Sequence, residues 1–163
     1  MTLNARSDAV RRRLLRPWNF RLYLWARLPL AACAGLSLRR LDESGCTVAL
    51  PGGWRTQNPF HSTYFAAQIM AAEMSTGAPA MVLVRAAPTS VSMLLREVQA
   101  VFTKKIQGPS LFTFEDIAGL QSTIARAAVS KDSESFSGRS VGVGPDGEPA
   151  AEILVTWSFK RRS

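Results

Sequence analysis

Asn58-Pro-Phe-His-Ser62-Thr-Tyr-Phe-Ala-Ala-Gln68-Ile-Met-Ala-Ala-Glu73-Met-Ser-Thr-Gly77 is the stretch on which the fold of this chain turns. From Ser62 to Thr76 it carries apolar residues nearly all the way round a helix, and a helix like that is buried on most sides. Ala66, Ala67, Ala71 and Ala72 are small enough to let strands approach it closely. Ser62 fits an N-cap, while Gly77 with Pro79 beyond it reads as a stop. Gln68 and Glu73 are the polar exceptions. A carboxylate on so apolar a helix must be paired, hydrogen-bonded or protonated, because burying it bare is costly. Glu73 is therefore the residue most in need of a role; an ion pair with Arg85 or Arg96 is the purely structural one.

Upstream, Gly35 to Leu41 and Cys46 to Leu50 alternate apolar and polar residues around the turn cluster Asp42-Glu-Ser-Gly45, which predicts a β-hairpin. Before it, Pro17 opens a segment from Trp18 to Leu30 with apolar residues at helical spacing, an N-terminal amphipathic helix. Residues 1–16 read as a basic, loosely ordered arm, leaving 17–163 as one domain. Downstream, Ala80 to Arg85 reads as a strand, and Ser90 to Phe102 as a long strand with a bulge between its two alternating sets. Phe112 to Phe114 begins another. Asp116 to Val129 fits either a helix or a late-starting strand. Ser133 to Val143 and Glu152 to Phe159 are the last strands, joined by the turn Pro145-Asp146-Gly147. No crossover helices alternate with the strands, so the class is α+β with a largely antiparallel sheet.

Composition narrows the function classes. The chain has 163 residues, 47% hydrophobic and 20% charged, enough to bury a core. Its formal charge is +8, and residues 1–40, with nine arginines and one acid, hold all of it. The neutral remainder is a poor nucleic-acid face, so nucleic acid is not an expected partner. The basic N-terminal segment, with its aromatic residues, also suits contact with a membrane surface. Arg21 and Arg27 interrupt what would otherwise imitate a signal peptide, and Thr56 to Ala72 is too polar to span a bilayer. A cytoplasmic location is expected. Cys33 and Cys46 have no companions at metal spacing and read as buried free thiols, although a disulfide between them stays open.

The stretch from Asn58 to Gly77 resembles the signature of hot-dog-fold thioesterase-like proteins, an uncharacterised bacterial branch of them, and the resemblance extends from about Pro17 to Lys160. That signature has an asparagine near the loop start, a His-Gly-Gly group opening the helix, an acidic residue within it and a glycine ending it. Asn58, Glu73 and Gly77 match without a gap; Tyr64 stands at the histidine and Phe65-Ala66 at the glycine pair. The resemblance implies a single hot-dog domain, an antiparallel sheet wrapped around the long central helix. It also implies an acyl-CoA or acyl-carrier-protein thioesterase acting at a dimer interface, as a homodimer or a tetramer built from it. No cofactor is implied, since coenzyme A or pantetheine would arrive on the substrate.

In the implied mechanism Glu73 is general base or nucleophile, with its pKa raised by burial. Asn58 and His61 orient water or carboxylate. A helix N-terminal N–H near Phe65 polarises the carbonyl, flanked by Tyr64 and Ala66. Thr89, Ser90 or Ser92 supplies a hydroxyl from the partner. The alternative is a non-catalytic module binding an acyl or other hydrophobic ligand, with the altered His-Gly-Gly group as its mark. A pocket reaching Glu73 past Phe65 separates the two. A hot-dog dehydratase fits poorly, because its paired histidine is not evident.

Overall fold

The structure, a computed structural model, describes residues 5–162. Five helices and six strands follow one another as α1 (Ala5–Leu15), α2 (Pro17–Arg27), α3 (Pro29–Ala34), β1 (Ser37–Asp42), β2 (Gly45–Leu50), α4 (Phe65–Ala86), β3 (Val91–Phe102), β4 (Ser110–Phe114), α5 (Ile117–Val129), β5 (Glu134–Val143) and β6 (Pro149–Arg161). The strands form one sheet in the order β1-β2-β4-β5-β6-β3, and every neighbouring pair is antiparallel. Helix α4 lies against β2, β3, β4, β5 and β6, with α5 beside it over β5, β6 and β3. This is the expected α+β hot-dog arrangement.

The central helix departs from the expected Ser62–Thr76 at both ends. It starts at Phe65 with Tyr64 as N-cap, and Tyr64 makes no side-chain capping bond. Ser62 is drawn away from the cap by Asn58, whose Oδ1 accepts from the Ser62 N–H and whose Nδ2 donates to Ser62 Oγ. At the other end the helix runs on through Gly77 and Pro79 to Ala86. The strand expected over Ala80 to Arg85 is therefore helix. An interior proline removes one backbone bond and costs roughly 3 kcal/mol. Here burial of Ala78, Pro79, Ala80, Val82 and Leu83 outweighs it. Two buried hydrogen bonds fasten the same helix to the sheet: Ser75 Oγ to Ser140 Oγ at 2.8 Å, and Trp157 Nε1 donating to Thr76 Oγ1 at 2.9 Å.

The remaining elements follow the sequence closely. Asp42 Oδ1 accepts from the Ser44 and Gly45 N–H groups and so closes the β1–β2 hairpin. The Ser44 hydroxyl bonded to the same oxygen holds the Asp42 carboxyl below its usual range. The bulge in β3 falls between Leu95 and Glu97 and flips the inward set from Val91 and Met93 to Val98 and Ala100. The ambiguous segment is helix α5: Asp116 Oδ1 accepts from the Gly119 N–H at 2.8 Å as its N-cap, and Ile117, Leu120 and Ile124 face the core. Of the expected N-terminal arm, residues 1–4 lie outside the described residues, and Ala5–Leu15 form α1. Leu14 is buried, and Arg11 Nη1 donates to the Leu41 carbonyl. No described helix is long and apolar enough to cross a membrane.

Candidate functional site

Glu73 projects from the middle of α4 into a cavity of about 170 Å³ that is otherwise apolar or aromatic. Phe20, Tyr23 and Leu24 of α2 close one side, and Met81 of α4 with Met93 of β3 close another. The Tyr23 hydroxyl donates to Met81 Sδ at 3.2 Å and joins α2 to α4 across the cavity wall. Among the described residues the Glu73 carboxylate makes no ion pair and no side-chain hydrogen bond, so the structural pairing with Arg85 or Arg96 is absent. Burial pushes its pKa above the ordinary glutamate value of 4.5. Burial without a charged partner makes this carboxyl a stronger base than an exposed glutamate, the direction that general-base chemistry requires.

A second concavity, a groove of about 550 Å³, lies at the N-terminus of α4. Its walls include Asn58, Tyr64, Phe65 and Gln68 on one side and Phe102 and Lys104 on the other. Tyr64 and Phe65 are both exposed; their ring centroids are 4.7 Å apart, and Phe65 meets Phe102 at 6.5 Å. The Ala67 and Gln68 N–H groups donate to the Tyr64 carbonyl, while those of Phe65 and Ala66 precede any intrahelical acceptor. The positive end of a 22-residue helix therefore opens into this groove. Gln68, 5% exposed, donates from Nε2 to the Thr63 carbonyl at 3.0 Å, and its buried Oε1 has no partner among the described residues.

The other expected site residues separate by location. Asn58 Oδ1 accepts from the Phe60 and Ser62 N–H groups, so its amide is committed to shaping the loop. His61 is exposed, adopts a left-handed φ of 58° and lines neither concavity. Thr89 Oγ1 donates to the Ala128 carbonyl, Ser92 Oγ donates to the Lys160 carbonyl, and the Ser90 carbonyl accepts from the Arg162 N–H. All three sit at the far end of α4, about 33 Å of helix from Tyr64. Within one protomer, then, Asn58, Tyr64, Phe65 and Ala66 come together, Glu73 stands apart, and Thr89, Ser90 and Ser92 are remote. The cavity at Glu73 and the groove at Phe65 share no lining residue, and the Glu73 cavity is bounded on the α2 and Met93 side.

Cys46 is buried, which pushes its thiol up to about 12, whereas Cys33 is exposed rather than buried; both are free. Among the described residues no group of three or more potential ligands stands ready to hold a metal ion.

Sequence reasoning overlooked Gln68, Tyr23, Met81 and Met93 as site residues. Gln68 carried a usable signal, since it lies one helical turn beyond Tyr64 on an otherwise apolar helix. The others converge only through the tertiary packing of α2 and β3.

Residues 16–118 match the family described as a domain of unknown function, DUF4442. No curated protein matches the chain. Solved structures similar to it include the protein OLEI01261, of unknown function, from Chlorobaculum tepidum, at 12% identity and TM-score 0.75 over 91% of this chain and 98% of that one. A Pseudomonas aeruginosa protein named a probable thioesterase, PA5026, is 17% identical with TM-score 0.71, covering 90% and 97%. Thioesterase HI1161 from Haemophilus influenzae is 11% identical with TM-score 0.63, covering 86% and 88%. At these identities the likeness is one of fold.

Proposed function

The chain belongs to the DUF4442 family, and from that membership and its hot-dog fold we propose that it is a thioesterase-like protein acting on an acyl thioester of coenzyme A or acyl carrier protein. The observation that carries this reading is Glu73, an unpaired carboxylate of raised pKa beside an apolar cavity on the central helix. Glu73 takes a proton from water, the resulting hydroxide adds to the thioester carbonyl, and the oxyanion forms against the N–H groups of Phe65 and Ala66. Collapse expels the thiolate, which recovers the proton from Glu73, and releases the acyl group as a carboxylic acid that gives its proton to solvent.

One protomer does not bring the two halves together, and the reading therefore includes a homodimer. Strand β3 is a twelve-residue sheet edge, with Leu94 66% and Val101 61% exposed. Long apolar edges of this kind are rarely left uncovered. Antiparallel pairing of two β3 strands that sets Leu94 beside the partner's Val101 matches outward with outward there, and inward with inward at Leu95 and the partner's Ala100, because the bulge lies between the paired positions. The same register sets Met93, which lines the Glu73 cavity, beside the partner's Phe102, which lines the groove at α4's N-terminus. Ser92 then approaches the partner's Thr103. Glu73 of one protomer and the helix N-terminus of the other would form one composite site.

The second reading, a non-catalytic acyl-binding module, is favoured by the Tyr64–Phe65–Phe102 ring cluster, which stands over the helix N-terminus where close backbone approach is needed. An acyl-CoA hydrolysis panel on the wild type and Glu73→Gln separates the two. Turnover lost in the variant supports the enzyme; saturable acyl-CoA binding without turnover in either protein supports the module.

A further inference from the structure

Helix α2 is apolar on two opposite faces. Phe20 and Leu24 are buried, with Tyr23 half-buried beside them. Trp18, Leu22 and Trp25, spaced i, i+4 and i+7, project from the other side and are 76%, 66% and 52% exposed. Leu30, just beyond the end of α2, is a further exposed apolar side chain at 71%. A helix with apolar side chains on two opposite faces is normally covered on both. Single exposed apolar residues need no explanation, but three on one helix face do.

The surrounding charge identifies the cover. A groove of about 420 Å³ runs between α1, α2 and the end of α4, with Arg13, Arg27 and Arg85 in its walls and no carboxylate. None of these three guanidinium groups has an ion pair among the described residues. Leu22 belongs to both the groove and the exposed stripe, so cationic and apolar surfaces are continuous. The first forty residues also hold the chain's whole excess of +8.

We propose that this face docks the protein on an anionic phospholipid bilayer. Trp18, Leu22 and Trp25 enter the boundary between headgroups and acyl chains, the depth that tryptophan favours. Arg13, Arg27 and Arg85 receive lipid phosphates, for which the planar guanidinium fork is well matched. An eleven-residue helix is about 16 Å long, too short to cross, and lies in the plane of the surface. A protein so placed meets amphiphilic ligands where they concentrate.

The test uses the full chain with vesicles of phosphatidylcholine alone or mixed with phosphatidylglycerol, read by co-sedimentation and by tryptophan quenching with brominated lipid. Binding at least tenfold tighter to the anionic vesicles, weakening as salt rises, is expected. The double variant Trp18→Ser/Trp25→Ser loses both binding and quenching. Arg13→Gln, Arg27→Gln and Arg85→Gln each weaken binding roughly fivefold. All substituted residues are outside the Glu73 cavity and the α4 groove, and circular dichroism confirms that the variants fold. Equal affinity for the two vesicle types overturns the proposal, as does anionic binding that survives the tryptophan and arginine variants. Concentration-dependent self-association that shields Trp18 and Trp25 without vesicle binding assigns the face to a second copy instead. Salt-sensitive binding to duplex DNA with none to vesicles assigns it to nucleic acid.

Discussion

Gly77 makes room for Glu73. A Cβ at position 77 would lie 3.1 Å from Glu73 Oε1 and 3.1 Å from Trp157 Cζ2, so the carboxylate and the indole share the space that glycine leaves one helical turn on. In Gly77→Ala, better helix propensity, worth about 1 kcal/mol, opposes the crowding. The indole is held by its bond to Thr76, so the carboxylate is the group that moves. Thermal stability is expected to change by less than about 1 kcal/mol, while thioester turnover falls at least tenfold. Unchanged turnover would show that the glycine serves packing alone.

Glu73 also gives stability a pH dependence with a definite sign. Its folded-state pKa is above the unfolded value, and burial is the cause. The native state therefore holds the proton more tightly, and stability falls as pH rises from the ordinary glutamate value through the raised one, then levels off. Glu73→Gln removes the penalty of ionising a buried carboxyl. The variant is expected to melt higher than wild type above neutral pH, and the difference to vanish in acid. A variant less stable at every pH would reveal a partner for the carboxylate.

Thr76 supplies the acceptor for the buried Trp157 N–H. Thr76→Val is nearly isosteric and strands that donor, at a cost of about 1–3 kcal/mol in urea unfolding. Thr76→Ser should recover most of the loss. Equal destabilisation by both variants would assign the effect to the methyl packing.

These three residues show which features the sequence carries plainly and which it hides. The burial of α4 is evident in its all-round apolar pattern, and Glu73 stands out because that pattern gives a carboxylate nowhere to go. The end of α4 is not evident. Gly77 and Pro79 have the local chemistry of a stop, and only the burial of Ala78, Pro79, Ala80, Val82 and Leu83 explains why the helix continues. The bulge in β3 was legible because it changes which residues alternate inward. The walls of the Glu73 cavity were not, since Tyr23 and Met93 come from elements distant in sequence whose packing no local pattern encodes.

The two cysteines should differ sharply toward a thiol reagent. Cys33 is exposed, and Cys46 is buried with its thiol pushed up to about 12. The reactive thiolate is therefore scarce at Cys46 for reasons of both access and acidity. Titration of the native protein with a disulfide reagent is expected to release one equivalent quickly and the second only in concentrated guanidinium. Fast release of both would mean that the sheet opens at β2.

The proposed dimer would rest on β3, and its register makes a discriminating prediction. Leu94 beside the partner's Val101 occurs twice across a two-fold axis, so one substitution per chain alters two contacts. Leu94→Lys replaces two apolar cross-strand pairs with solvated cations and is expected to shift sedimentation from dimer to monomer at micromolar concentration. Val101→Lys should do the same, because it strikes the opposite member of the same pair. Both side chains are exposed in the protomer, so the monomer keeps its fold and its circular dichroism. Turnover should fall with dissociation, since Glu73 and the N-terminus of α4 then no longer face each other. A monomeric wild type, or a dimer indifferent to both lysines, would refute the β3 pairing and with it the composite site.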